Sequence, residues 1–250
     1  MGPLAWSEPT ARPPLRRRAL AEALGTGLLV TVVVGSGIAA QRLSAGQPGL
    51  QLLENAVATA LGLAVLIVVL GPVSGGHFNP VVSLTDAALG RLARRAGSGT
   101  AGLGGRELAA YLPAQLAGGI AGALLANLMF DLPAATLSTT PRSAGHLWLA
   151  EVVATAGLVL VIFALARSGL AARSLGLAAG SVGAYIGAAY FFTSSTSFAN
   201  PAVTIGRIFS DTFAGISPGS VPPFLAAQLL GAATAGVLVR VLYPDEEGVS

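Results

Sequence analysis

Apolar positions along this chain gather into six long runs, at about 18–40, 50–73, 108–130, 147–166, 174–192 and 221–239. Each is close to the ~20 residues a helix needs to cross the hydrocarbon core of a bilayer. Two stretches between the runs break the pattern. Ser74-Gly75-Gly76-His77-Phe78-Asn79-Pro80-Val81-Val82 and Thr196-Ser197-Phe198-Ala199-Asn200-Pro201-Ala202-Val203 are Gly- or Ser-rich and end in Asn-Pro. Asn is a good N-cap, and Pro suits the first helical position because its missing N–H has no partner there. Each Asn-Pro therefore predicts a short helix, at about 79–90 and 200–209, with free N–H groups and a partial positive charge at its start.

The two halves of the chain repeat. Ala21-Glu22 and Thr26 align with Ala150-Glu151 and Thr155, and Asn79-Pro80-Val81-Val82-Ser83-Leu84 aligns with Asn200-Pro201-Ala202-Val203-Thr204-Ile205. Each half holds three spans, an odd number, so the second must insert upside down. The fold class predicted is an all-α membrane protein with six transmembrane helices and two re-entrant half-helices in an inverted 3+3 repeat. Residues 1–17 read as a disordered tail, 18–243 as one domain (repeat one about 18–106, repeat two about 146–243) and 244–250 as a C-terminal tail. Inverted repeats with interrupted helices point to a site near the bilayer midplane.

Composition supports the membrane reading. The 250 residues are 53% hydrophobic and 10% charged, far below the roughly 25% charged of an average globular domain. Cysteine is absent and there are two His, so no disulfide framework, thiolate metal site or cysteine nucleophile is available. No cofactor, metal cluster or catalytic pair is expected. The isoelectric point of 9.9 does not imply nucleic acid, because the arginines fall between apolar runs. Arg12, Arg16, Arg17, Arg18, Arg91, Arg94, Arg95, Arg106, Arg167, Arg173 and Arg240 share one predicted side, against Arg42, Arg142 and Arg207 on the other. The positive-inside rule then makes both termini cytoplasmic, in a multi-pass protein of the cell membrane.

Irregular backbone at membrane depth is tolerated only where it is buried in protein or lines a watery cavity. The two Asn-Pro starts are therefore expected to meet near the midplane, with the amides of Asn79 and Asn200 donating into a pore. Carbonyls of Gly75, Gly76, His77 and Phe78, and of Ser197, Phe198 and Ala199, would form a polar ladder. A neutral solute slides along such a ladder, while a cation is repelled by two positive helix ends. The expected process is passive permeation.

These residues resemble the aquaporin and aquaglyceroporin (major intrinsic protein) family over about 18–243. The carriers are Ala21-Glu22 with Thr26, Ser-Gly-Gly-His-Phe-Asn-Pro at 74–80 and Asn200-Pro201-Ala202. The resemblance implies a right-handed bundle of six tilted helices and two half-helices, assembled as a homotetramer in the lipid bilayer with one pore per subunit. It implies buried acids, Glu22 and Glu151, bracing the Asn-Pro loops, and a pore-lining donor at His77. Gly118/Gly122, Gly176/Gly180 and Gly183/Gly187 are spaced for close helix packing. Val81 replaces the usual Ala as a packing change.

Family members narrow at a four-residue filter, usually with an Arg three residues after the second Asn. By gapless counting the filter here is Thr59, Ala188, Ser197 and Val203, wide and without Arg. Arg207, seven residues after Asn200, is expected to lie two helical turns away and out of reach. Glycerol facilitators typically carry Asp four residues after the second Asn, where this chain has Thr204. Ser-Phe-Ala-Asn-Pro-Ala-Val-Thr is similar to a bacterial branch linked to arsenic resistance. The resemblance thus implies small neutral solutes: water, glycerol-like polyols and arsenite or methylated arsenicals. Rival readings are a strict water channel, a proton- or anion-leaky pore, an ion-coupled transporter using Glu22 and Glu151, and a membrane enzyme, for which no nucleophile–base pair is present.

Overall fold

The computed structural model describes residues 12–97 and 102–244. Its helices are α1 (Leu15–Leu43), α2 (Pro48–Ser74), α3 (Pro80–Arg95), α4 (Gly105–Met129), α5 (Gly145–Arg167), α6 (Leu170–Arg173), α7 (Leu175–Phe192), α8 (Pro201–Gly206) and α9 (Val221–Leu242). Six of them are long and apolar enough to cross a membrane. The described residues form an all-helical bundle in which α1 packs on α2 and α4, α5 packs on α7 and α9, and α2 meets α7. The short helices α3 and α8 each touch both α4 and α9. Element by element, α1–α4 are repeated by α5, α7, α8 and α9.

Helix boundaries differ from the sequence expectation at three places. Leu15–Arg17 are helical, so the tail ends earlier than residue 17; residues 1–11 and 245–250 of the expected tails lie outside the described residues. Helix α3 runs to Arg95 rather than stopping near Gly90. The single turn α6 was not anticipated; it follows Gly169, whose φ of 71° is in the left-handed region that glycine tolerates.

Close approach of α1 and α4 depends on two glycines. A Cβ at Gly118 would sit 2.1 Å from the carbonyl oxygen of Ala23, and one at Gly122 would sit 2.1 Å from that of Gly27. Gly231 of α9 repeats the contact against Val152 at 2.5 Å. Gly183 and Gly187 likewise face α2, but Gly176 and Gly180 do not pack: a Cβ at Gly180 meets nothing within 4 Å. Their spacing is right, but the residues lie on the exposed side of α7. Gly118→Ala is therefore expected to cost about 1–3 kcal/mol through overpacking, whereas Gly180→Ala costs nothing and gains helix propensity. Thermal unfolding of purified protein in detergent checks this: the Gly118 variant melts several degrees lower, and equal melting of both variants refutes the packing argument.

Candidate functional site

Both Asn-Pro segments cap their helices as the residue types dictate. Asn79 accepts from the Val81 N–H at 3.1 Å, and Asn200 accepts from the N–H groups of Ala202 and Val203 at 2.9 and 3.3 Å. The loops leading in are irregular in matching ways. Gly75, Gly76 and Phe78 have φ of 98°, 65° and 48°, and Thr196, Ser197 and Ala199 have φ of 62°, 50° and 46°. Non-glycine residues held in this region cost of order 1–3 kcal/mol each, so each loop needs an external clamp.

Glu22 and Glu151 are those clamps. Glu22 Oε1 accepts from Ser74 Oγ at 2.7 Å and His77 N–H at 3.0 Å, and its Oε2 accepts from Phe78 N–H and Gln115 Nε2, both at 2.7 Å. Glu151 repeats this set: Oε1 accepts from Ser195 Oγ at 2.7 Å and Phe198 N–H at 2.9 Å, Oε2 from Ala199 N–H at 2.9 Å and Gln228 Nε2 at 2.7 Å. Gln115 also donates to Ser83 and Gln228 to Thr204, both at 2.9 Å, tying each loop to the half-helix that follows it. Sequence reasoning missed Ser74, Ser195, Gln115 and Gln228 as loop clamps. The available signal was their place in the repeat: buried Gln at matching positions of the third and sixth spans.

The two half-helix starts meet by exchanging hydrogen bonds. Asn79 Nδ2 donates to the Ala199 carbonyl and Asn200 Nδ2 donates to the Phe78 carbonyl, each at 2.8 Å. An amide NH2 carries two hydrogens; the second on each Asn has no protein acceptor among the described residues. Both Asn line a cavity of about 280 Å³ that extends from Asp86, Ala171 and Leu175 at one end to Tyr190, Ser197 and Arg207 at the other. Its polar side includes Gly75, Gly76, His77, Ser197 and Phe198; the opposite wall is apolar, with Leu29, Leu63, Ile67, Leu158, Val182 and Ile186. His77 Nδ1 stands 3.0 Å from Ser83 Oγ, and its ring meets that of Tyr111 edge-on.

Several expected positions fall elsewhere. Phe78 and Ala199 are fully buried and are not in the cavity wall; their carbonyls accept from the two Asn amides. Pro80, Val81, Pro201 and Ala202 are buried behind it. Thr59, Ser197 and Val203 do line the cavity, but Ala188 is exposed on the outer face of α7. Cavity-facing positions of α7 include Ala178, Val182, Ile186 and Tyr190, one turn apart; Ala188 is two residues from Ile186 and from Tyr190 and so points to the opposite side. Tyr190, which counting without gaps missed, is within 3.1 Å of Thr59 Oγ1 through its hydroxyl.

Arg207 is the larger correction. It is 2% exposed and forms part of the cavity wall. Distance from Asn200 was the wrong yardstick. Arg207 is one turn beyond Val203 and on the same face, and helical side chains lean toward the N-terminus, here toward the cavity. Its guanidinium carbon stands 3.4 Å from the centroid of the Phe198 ring, and Nε donates to the Ala214 carbonyl. Arg142 reaches the same ring at 4.9 Å and donates to the Gly215 carbonyl at 3.0 Å.

Among the described residues no group of three or more metal-ligating acids or histidines is found. The arrangement offers hydrogen-bond donors, carbonyls and a hydrophobic wall, which handle small polar molecules without a chemical step.

Comparison with known proteins agrees with this geometry. The Major intrinsic protein family matches residues 10–199, ending one residue before the second Asn-Pro. Aquaglyceroporin AqpS of Rhizobium meliloti (strain 1021) is 51% identical over 228 residues, covering 91% of each chain. The Glycerol uptake facilitator protein of Pseudomonas aeruginosa is 31% identical, over 92% of this chain and 90% of its own. The X-ray structure of the aquaglyceroporin from Plasmodium falciparum has the same fold, with a TM-score of 0.65 at 20% identity, covering 93% of this chain and 97% of that one. This multi-pass membrane protein, with its two Asn-Pro half-helices meeting in one cavity, belongs to the major intrinsic protein family and is a passive channel, not an enzyme.

Proposed function

We propose that the cavity conducts water and small neutral polyhydroxy solutes of the glycerol type, with arsenite, as As(OH)₃, among them. The observation that carries this reading is the pairing of one continuous apolar wall with the polar face at Asn79 and Asn200. A carbon-bearing solute rests its CH groups on the wall while its hydroxyls exchange hydrogen bonds with the loops. As(OH)₃ presents three hydroxyls around a compact core and offers a similar pattern. Glycerol comes to this chain through the names of its relatives, and arsenic through the Ser-Phe-Ala-Asn-Pro-Ala-Val-Thr resemblance alone. Thr59, Tyr190, Ser197 and Val203 are the residues to which we assign the narrowing on the Arg42, Arg142 and Arg207 side. The orientation with cytoplasmic termini rests on arginine placement, and the homotetramer on family resemblance.

The test is stopped-flow light scattering on proteoliposomes, with water, glycerol and arsenite as solutes. Wild type is expected to pass all three above empty vesicles. Val203→Arg adds a long side chain to the wall of the narrowing and is expected to cut glycerol and arsenite permeability at least tenfold while water still passes. Wild-type vesicles no more permeable than empty ones would refute the reading. Glycerol flux without arsenite flux would restrict it to polyols.

A further inference from the structure

The wall near Ser197 contains one charged side chain, and its surroundings are unusual. Arg207 is almost fully buried, yet no carboxylate lies within ion-pair distance; the ion pair found among the described residues is Arg18–Glu107, elsewhere in the bundle. A buried unpaired charge is normally costly. Its direct contacts are the Phe198 ring face and the Ala214 carbonyl. Nε is used on Ala214, so the two terminal amino groups have no protein acceptor among the described residues. Beside it, Ser197 is 4% exposed and its Oγ is buried without a protein partner. Both residues line the cavity, together with the linked hydroxyls of Thr59 and Tyr190.

We propose that Arg207 supplies the fixed positive charge of this narrowing, one helical turn beyond Val203, and that its free amino groups and the Ser197 hydroxyl together hold the oxygens of each passing hydroxyl-bearing solute. The inference rests on the channel reading above. A fixed guanidinium in a water-poor narrowing repels protons and metal cations, and its planar fork of donors suits two oxygens at once. Phe198 fixes the plane of that fork by stacking. Arg142 lies on the same ring but is not in the cavity wall, so it is a neighbour rather than a contact of the solute.

The experiment uses proteoliposomes of the full chain, with proton entry followed by an internal pH dye under a potassium–valinomycin clamp. Water permeability is measured on the same vesicles, and the readout is the ratio of proton to water permeability. Arg207→Gln and Arg207→Met, which remove a buried unpaired charge and so are compatible with folding, are expected to raise the ratio at least tenfold. Arg207→Lys keeps the charge and stays within threefold of wild type. The double variant Val203→Arg with Arg207→Gln, which returns a charge one turn earlier, brings the ratio back toward wild type. Arg142→Gln leaves it unchanged. Neutral Arg207 variants that pass water with a wild-type ratio overturn the proposal, as does an equal rise in Arg142→Gln. Wild-type vesicles that pass no water refute the channel reading instead, so the two failures are distinct.

Discussion

Glu151→Ala is expected to abolish accumulation of the folded channel. The carboxylate is fully buried and accepts four hydrogen bonds, two of them from the N–H groups of Phe198 and Ala199 in a loop with left-handed residues. Hydrogen bonds to charged groups contribute about 1.5–3 kcal/mol each. Losing four approaches the whole of a typical net stability of about 5–15 kcal/mol. Glu151→Gln keeps one carbonyl oxygen but turns an NH2 toward donors, leaving up to two of them unsatisfied, and is expected to be intermediate. Glu22 holds the first loop through an equivalent set, so its variants should follow the same order. Size-exclusion profiles and melting of membrane-extracted protein decide the matter. A monodisperse Glu151→Ala protein with a wild-type melting temperature would refute the clamp. A coupled transporter using these acids would instead leave the Gln variants folded, with altered pH dependence of flux.

The second large effect is expected at the centre. Asn200→Asp keeps the capping oxygen for Ala202 and Val203, so the half-helix still starts correctly. It replaces the amide that donates to the Phe78 carbonyl at 2.8 Å with a second oxygen, which sets acceptor against acceptor. It also puts a negative charge into the cavity wall. A unit charge about 4 Å from a passing cation is worth about 4 kcal/mol at an effective dielectric of about 20, or roughly three decades in permeability. Sodium and proton entry into proteoliposomes should rise accordingly. A variant that still passes water but admits cations no faster than wild type would show that charge at this point does not control selection.

Much of this architecture could be read from residue order, for identifiable reasons. The six spans are legible because burial in lipid demands about twenty apolar residues in a row. The two half-helices are legible because Asn and Pro each have one local job at a helix start. Glu22 and Glu151 stand out because an acid within an apolar run needs partners. The partners themselves were not legible. Gln115 lies 93 residues from Glu22, and Gln228 lies 77 from Glu151, so only the folded bundle brings them together. Rotational phase was the other gap. Gapless counting chose Ala188 where the wall is made by Ile186 and Tyr190, because an error of two residues turns a helix by more than half a circle. Arg207 was excluded by distance along the chain, although side-chain length and lean carry its guanidinium back to the ring of Phe198.

The crossed bonds from Asn79 to Ala199 and from Asn200 to Phe78 also have a dynamic consequence. Each half-helix cap holds the other loop's last carbonyl before its own cap, so neither can tilt or slide alone without breaking a bond on both sides. The waist of the molecule behaves as one rigid ring contributed by both halves. Relative motion of the two half-helices is thereby restrained at this crossing, between the Asp86 and Leu175 end of the cavity and its Tyr190 and Arg207 end.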